Sequence, residues 1–194
     1  MARRTPPSED ILEARERLRR FVRGETDERL FTHPIGHPAL PTGFCVYEYS
    51  LLETLRVCMR AVALDAVLKL PMNRPKRALL RLLGATIGEH VTISALTWID
   101  PLYPQLLVIE DEVFIGMGVR IATHEFRRDE FRAGKVIIRR GAFIGGYALI
   151  GCGVEIGENA TVAAGAVLGR DVPPGATAIG NPARIVLGAN REEE

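Results

Sequence analysis

Acid–base or nucleophilic chemistry in this chain rests on few side chains: four histidines (His33, His37, His90, His124), three cysteines (Cys45, Cys58, Cys152) and three serines (Ser8, Ser50, Ser94). None of the serines lies in a G-x-S-x-G elbow, so a serine nucleophile of that type is excluded. The cysteines are odd in number and lack C-x-x-C spacing, which fits unpaired thiols in a reducing compartment. Cys152 is the one conceivable cysteine nucleophile, but no histidine is near it in sequence. Imidazole is the group that takes up and releases a proton near neutral pH. His33 and His37 each precede a proline in a connector, and His90 falls where a solvated side chain is expected. His124, in IATHEF, is the candidate general base.

What must position His124 is a repeat. From Ile87 an aliphatic residue returns every six positions: Ile87, Ile93, Ile99; Ile109, Ile115, Ile121; Ile138, Ile144, Ile150, Ile156, Val162, Leu168. In six of the twelve cases glycine follows, and small or β-branched residues fill most fifth places, such as Val91, Val113, Ala142 and Ala160. A period of six fits neither an α-helix nor simple strand alternation. It fits short strands joined by tight corners, with one aliphatic side chain inward per side. Three hexads close a triangular coil, so twelve make about four coils of a parallel β-helix. The period breaks twice. Ile99 to Ile109 holds four extra residues, and Ile121 to Ile138 holds eleven, so a loop at about residues 125–137 must leave the coil. His124 stands at its root, where an interrupted pattern marks function.

The first part of the chain reads differently. Of 19 glycines, 15 lie between Gly84 and Gly180. Residues 1–83 read as a helical region: a helix capped by Ser8 with Ile11, Ala14, Leu18 and Phe21 on one face, then a connector from Glu25 to Gly43. A second helix is expected over about Val46–Leu70, apolar enough to be buried against the domain or a neighbouring subunit. A short basic helix, Lys76 to Leu83, leads into the coil of residues 84–187, and 188–194 form a tail. With 25 basic and 24 acidic residues there is no electrostatic footprint for nucleic acid. No apolar run reaches the roughly 20 residues of a membrane span, nor the pattern of a secretory signal, so a soluble cytoplasmic protein is expected.

The segments IGEHVTIS, IEDEVFIGMGV and IIRRGAFIGGYALIGCGVEIGENATVAAGAVLGRDVPPGATAIGNPARIV resemble the hexapeptide-repeat acyltransferases, in particular the branch of maltose, galactoside and xenobiotic acetyltransferases. The resemblance covers about residues 79–187. It implies a left-handed β-helix, a homotrimer, acetyl-CoA as donor substrate without a metal, and active sites between subunits. The family's catalytic histidine follows a Thr or Gly, and Thr123-His124 matches it. Phe143, Gly146, Ala164, Gly169, Arg170 and Arg184 fall on positions that the resemblance assigns to coenzyme A. Arginine suits its phosphates because the guanidinium fork binds phosphate oxygens in pairs. On the acceptor side Asp100 matches the family's aspartate, with Trp98 in place of its asparagines. Glu125 replaces the proline that usually follows the histidine. The loop cations Arg127, Arg128, Arg132 and Lys135 suggest either an anionic acceptor or an ordinary solvated loop. The reaction implied is acyl transfer to a saccharide hydroxyl. N-acylation of an amino-sugar or antibiotic and a noncatalytic trimeric scaffold are the alternatives, and a zinc hydratase is disfavoured because only His90 and His124 lie in the repeats.

Overall fold

A computed structural model describes residues 9–34, 51–127 and 130–186. The hexads fold as expected, into a left-handed β-helix of four triangular coils and the beginning of a fifth. In the first coil the strands are β2 (Thr86–Ile87), β3 (Thr92–Ile93) and β4 (Trp98–Ile99); in the second, β5 (Leu107–Ile109), β6 (Phe114–Ile115) and β7 (Arg120–Ile121). The third holds β10 (Val136–Ile138), β11 (Phe143–Ile144) and β12 (Leu149–Ile150); the fourth, β13 (Glu155–Ile156), β14 (Thr161–Val162) and β15 (Val167–Leu168). β16 (Thr177–Ile179) starts the fifth, and β17 (Arg184–Val186) folds back antiparallel on it.

The period of six is explained by vertical stacking. Ile87, Ile109, Ile138, Ile156 and Val172 sit in register on the first face. Ile93, Ile115, Ile144, Val162 and Ala178 stack on the second, and Ile99, Ile121, Ile150 and Leu168 on the third. These columns and the small corner residues make one continuous buried core. A polar side chain in one of these columns would face aliphatic neighbours above and below with no hydrogen-bond partner, which is why the pattern stays aliphatic.

A stack of parallel strands has bare edges that invite aggregation unless covered. Here α3 (Asn73–Leu82) closes the first coil with side chains. Buried Lys76 donates from Nζ to the carbonyl of Ile93 at 2.7 Å, and Asn73 Oδ1 accepts the Ile93 N–H at 2.9 Å. Arg81 donates to the carbonyls of Ile87 and Gly88, each at 2.9 Å. The short basic helix expected from Lys76 is thus a lid on the edge of the coil, one turn longer at its start.

The N-terminal region departs from an all-helical reading. α1 (Glu9–Val22) is present, with Ala14, Leu18 and Phe21 buried, while Ser8 lies outside the described residues. Within the expected connector, however, Leu30–Pro34 form β1. It pairs antiparallel with β9 (Glu130–Gly134), which pairs with β8 (His124–Phe126). The extruded loop is therefore a hairpin, and β1 makes it a three-stranded sheet. The hairpin occupies 124–134 rather than 125–137, because Val136 already pairs with Leu107 and is buried in the coil. Arg29 ties this layer down by ion pairs to Glu155 at 3.1 Å and Asp171 at 2.7 Å.

Of the helix expected over about Val46–Leu70, Leu51–Leu68 form α2, and residues 46–50 lie outside the described ones. This helix buries less than its composition suggested. Leu64 and Leu68 pack on the first coil, but Leu51, Leu52, Leu55, Met59 and Val62 point outward.

Candidate active site

The coil register sets up the site. Ile99 stacks on Ile121, so the residue after Ile99 lies beside the residues after Ile121. Asp100 thereby meets Thr123 and His124, 23 and 24 positions further along the chain. Its side chain is fully buried and accepts at Oδ2 from the Thr123 N–H (3.1 Å), the Thr123 hydroxyl (2.9 Å), the His124 N–H (3.1 Å) and the His124 ring at Nδ1. Oδ1 accepts the Leu102 N–H at 2.9 Å. Burial by itself would push this carboxyl up. The hydrogen bond and charge of His124, with the bonds from Leu102 and Thr123, outweigh burial and hold it below the usual carboxylate range. A carboxylate that stays ionised accepts, so Nδ1 carries the proton and the Nε2 lone pair is the one available for proton transfer.

Around the imidazole stand three aromatic rings. Tyr103 and Phe126 meet it edge-on, with centroids at 5.8 and 6.0 Å, and Phe131 lies tilted at 6.1 Å. Tyr103 and Phe131 belong to a second apolar cluster with Leu18, Phe21, Phe31, Leu106 and Ala133. The first insertion (around Tyr103), the hairpin and α1–β1 thus pack together behind the histidine. The Gly134 N–H bonds the Thr123 carbonyl at 2.9 Å and pinches the hairpin shut at its root. Gly134 must be glycine there, since a Cβ would sit 2.4 Å from the Gly153 nitrogen. His124 keeps 23% of its side chain exposed, so the ring is held from behind and open in front.

Two acceptor-side expectations change. Asp100 is sealed from solvent and faces His124, so it is placed to hold that ring rather than to touch an acceptor. Two of the four loop cations are paired: Glu125 meets Arg127 at 2.8 Å and Arg132 at 3.1 Å, which weakens the argument for an anionic acceptor. Arg128 lies outside the described residues, and the Lys135 ammonium lies 5.8 Å over the Phe21 ring. Trp98 lines a cleft against α2 with Leu64, Leu68 and Arg120, whose guanidinium lies 5.1 Å over the indole. His124 does not line that cleft.

The residues expected to meet coenzyme A fall into two sets. Gly169 and Arg170 lie at the same edge of the third face as His124, and both are exposed. Arg170 donates to the Ala183 carbonyl at 3.1 Å. Gly146 and Ala164 lie at the opposite edge, and Phe143 lies on the second face, stacked on Phe114 with centroids 5.0 Å apart. Arg184 is exposed on β17. Gly146 also has a packing reason to be glycine, because a Cβ would stand 3.1 Å from the Met117 carbonyl. Five to six extended residues separate the two edges, roughly 16–20 Å. One chain does not bring both sets together.

Cys152 sits in the corner above the hairpin root. Burial, then the negative charge of Glu125, pushes its thiol up to about 12. Such a thiol carries almost no thiolate at neutral pH and is a poor nucleophile. We expect iodoacetamide at pH 8 to label exposed Cys58 while sparing Cys152, read by peptide mass spectrometry. Rapid labelling of Cys152 would restore a covalent route.

Among the described residues no group of three or more His, Cys, Asp or Glu is placed to hold a metal, and no helix is long and apolar enough to cross a membrane. Residues 135–170 match the family model for the bacterial transferase hexapeptide (six repeats). A protein of Bacillus subtilis (strain 168), YvoF, provisionally described as an acetyltransferase, is 29% identical over 159 residues, spanning 81% of this chain and 92% of its own. A hexapeptide-repeat acetyltransferase from Vibrio cholerae superposes with a TM-score of 0.54 at 23% identity, over 72% of this chain and 93% of that one. A maltose O-acetyltransferase from Clostridium difficile 630 gives 0.53 at 22% identity, over 74% and 92%. The period of six, the stacked coils they build and these likenesses converge on one fold, the left-handed β-helix, and on a resemblance to the hexapeptide-repeat acetyltransferases.

Proposed function

We propose that this protein transfers an acetyl group from acetyl-CoA to a hydroxyl of a saccharide, with His124 as general base. The observation that carries the reading is the His124–Asp100 pair, an imidazole held by a buried carboxylate at the root of the β8–β9 hairpin. Acetyl-CoA supplies an acyl group activated as a thioester. His124 Nε2 takes the proton of the acceptor hydroxyl as its oxygen bonds to the thioester carbonyl carbon; the carbon–sulfur bond then breaks, and the proton returns to the departing sulfur. Asp100 holds the ring and balances the positive charge that it carries in between. Backbone N–H groups of adjoining coils are suited to the thioester oxygen as charge develops on it. The inert Cys152 thiol favours this direct attack over an acyl-enzyme.

The walls of the site favour a neutral, carbon-rich acceptor face. Phe126, partly exposed beside the imidazole, gives a flat surface for the C–H face of a pyranose, and Arg127 and Arg132 are paired with Glu125 and Glu130. Coenzyme A is the ligand that the exposed guanidinium groups of Arg170 and Arg184 suit, at its phosphate end, with Phe143, Gly146, Ala164 and Gly169 along the coil. Since Gly169 and Arg170 lie at one edge of the third face and Gly146 and Ala164 at the other, the site is complete only where a neighbouring copy supplies the second edge, which a homotrimer does. The reducing cytoplasm, with free cysteines and acetyl-CoA, is the compartment that this chemistry fits.

Calorimetric titration of coenzyme A into the purified protein tests the donor assignment, with mass by light scattering in parallel. Saturable binding by a trimer, weakened about tenfold or more in Arg184→Gln, is expected, since hydrogen bonds between charged groups are the strong ones. A noncatalytic scaffold has no reason to bind coenzyme A, and absence of binding would overturn the reading.

A further inference from the structure

We propose that α2 and α3 form a docking surface for an anionic lipid bilayer, on which the protein lies without inserting a span. The helix α2 has two apolar faces. One packs on the first coil through Leu64 and Leu68; the other carries Leu51, Leu52, Leu55, Met59 and Val62, which are 85, 67, 56, 63 and 66% exposed. At about 100° per residue these five fall within one sector of roughly 100°, on the side away from the coil. Exposed apolar area of this extent on one helix marks an interaction site rather than chance.

Charge decides what covers it. Residues 51–83 hold seven basic side chains (Arg56, Arg60, Lys69, Arg74, Lys76, Arg77, Arg81) against Glu53 and Asp65, a net +5 within a chain of net +1. Lys76 and Arg81 are used in capping the coil, and Lys69 pairs with Asp65 at 2.6 Å. Arg56, Arg60, Arg74 and Arg77 make no ion pair among the described residues; Arg56 borders the apolar sector, and Arg60 lies further round the helix on the same side. An apolar stripe with cations along one side and on the adjoining helix is a pattern that seats a helix at the headgroup level of an anionic membrane. A second copy of this chain is the other natural occupant. Leu52, Leu55, Met59, Val62 and Ala66 do alternate three and four apart, but over two heptads only, fewer than a coiled coil needs, and two +5 surfaces repel. No described helix is long and apolar enough to cross a bilayer, which agrees with lying on it.

Co-flotation with vesicles tests this with the full-length protein: phosphatidylcholine alone against phosphatidylcholine mixed with phosphatidylglycerol. Binding to the anionic vesicles is expected to exceed binding to the neutral ones at least about tenfold and to weaken with added salt, each cation near the surface being worth about fivefold. The double substitution Leu55→Glu, Met59→Glu is expected to abolish flotation, and Arg56→Gln with Arg60→Gln to weaken it about tenfold or more. All these side chains are surface ones, so circular dichroism and coenzyme A binding should stay as in the wild type. Absence of flotation by the wild type, or flotation unchanged in both variants, would overturn the proposal. So would a fall in oligomer mass in the Leu55→Glu, Met59→Glu variant, which would make this face a contact between copies.

Discussion

Replacing His124 by alanine is expected to lower acceptor-dependent acetyl transfer by about 10²–10⁴-fold, the range that a positioned general base supplies. The fold should survive. Asp100 keeps the N–H and hydroxyl of Thr123 and the Leu102 N–H as partners, so its buried charge is not stranded. Tyr103 and Phe131 remain in an apolar cluster that does not depend on the imidazole. His124→Asn is the sharper control, because its amide can still bond Asp100 yet cannot act as a base near neutral pH. Both variants should bind coenzyme A as the wild type does, and kcat should fall without a matching change in KM for acetyl-CoA. Near-full turnover in either variant would place the base elsewhere.

Asp100→Asn is expected to cost about 10²-fold or more in kcat and to destabilise the protein by about 1–3 kcal/mol. The substitution keeps the shape but not the acceptors. If the amide oxygen takes the place of Oδ2, its NH₂ faces the Leu102 N–H; turned over, the NH₂ faces the donors from Thr123 and His124. Either way a buried donor loses its partner, and in the second the histidine tautomer is reversed. The pH dependence separates this from a merely structural role. Because the folded carboxyl titrates below its unfolded value of about 3.9, Asp100 contributes stability that is fully present above that value. The contribution is lost as pH falls through the depressed folded value. Thermal melts taken from neutral pH down to about pH 2 should therefore converge, the wild type losing its advantage over Asp100→Asn at the acid end. A constant offset between the two at all pH values would contradict the depressed carboxyl.

The coil was legible because its physics is one-dimensional. Each of the twelve aliphatic positions faces the same position in the next coil, so a single pattern of six carries register, face and core together. His124 was legible as the histidine at a break in that pattern. Asp100 was half legible. The type and place of the residue stood out, but its partner did not, although the register of Ile99 on Ile121 contains the information. Reading the residues that follow stacked aliphatics as neighbours would have paired Asp100 with Thr123 and His124. The strand β1 was missed for another reason: its partner, β9, belongs to a loop that interrupts the repeat, and a pairing between two irregular segments leaves no period. The helix α2 shows a third limit. Apolar residues on two faces of a helix do not say that both faces are buried within one chain. The basic look of the hairpin weakened on pairing, since Glu125 stands opposite Arg132 across β8 and β9 and within reach of Arg127.

The most direct test of the central claim is coenzyme A release from acetyl-CoA by the purified protein across a panel of saccharides and amino-sugars, with His124→Ala alongside. The account predicts release that depends on a hydroxyl-bearing saccharide and falls by about 10²-fold or more in the variant. Release that is equal in both proteins, or that requires an amine in every case, would contradict it.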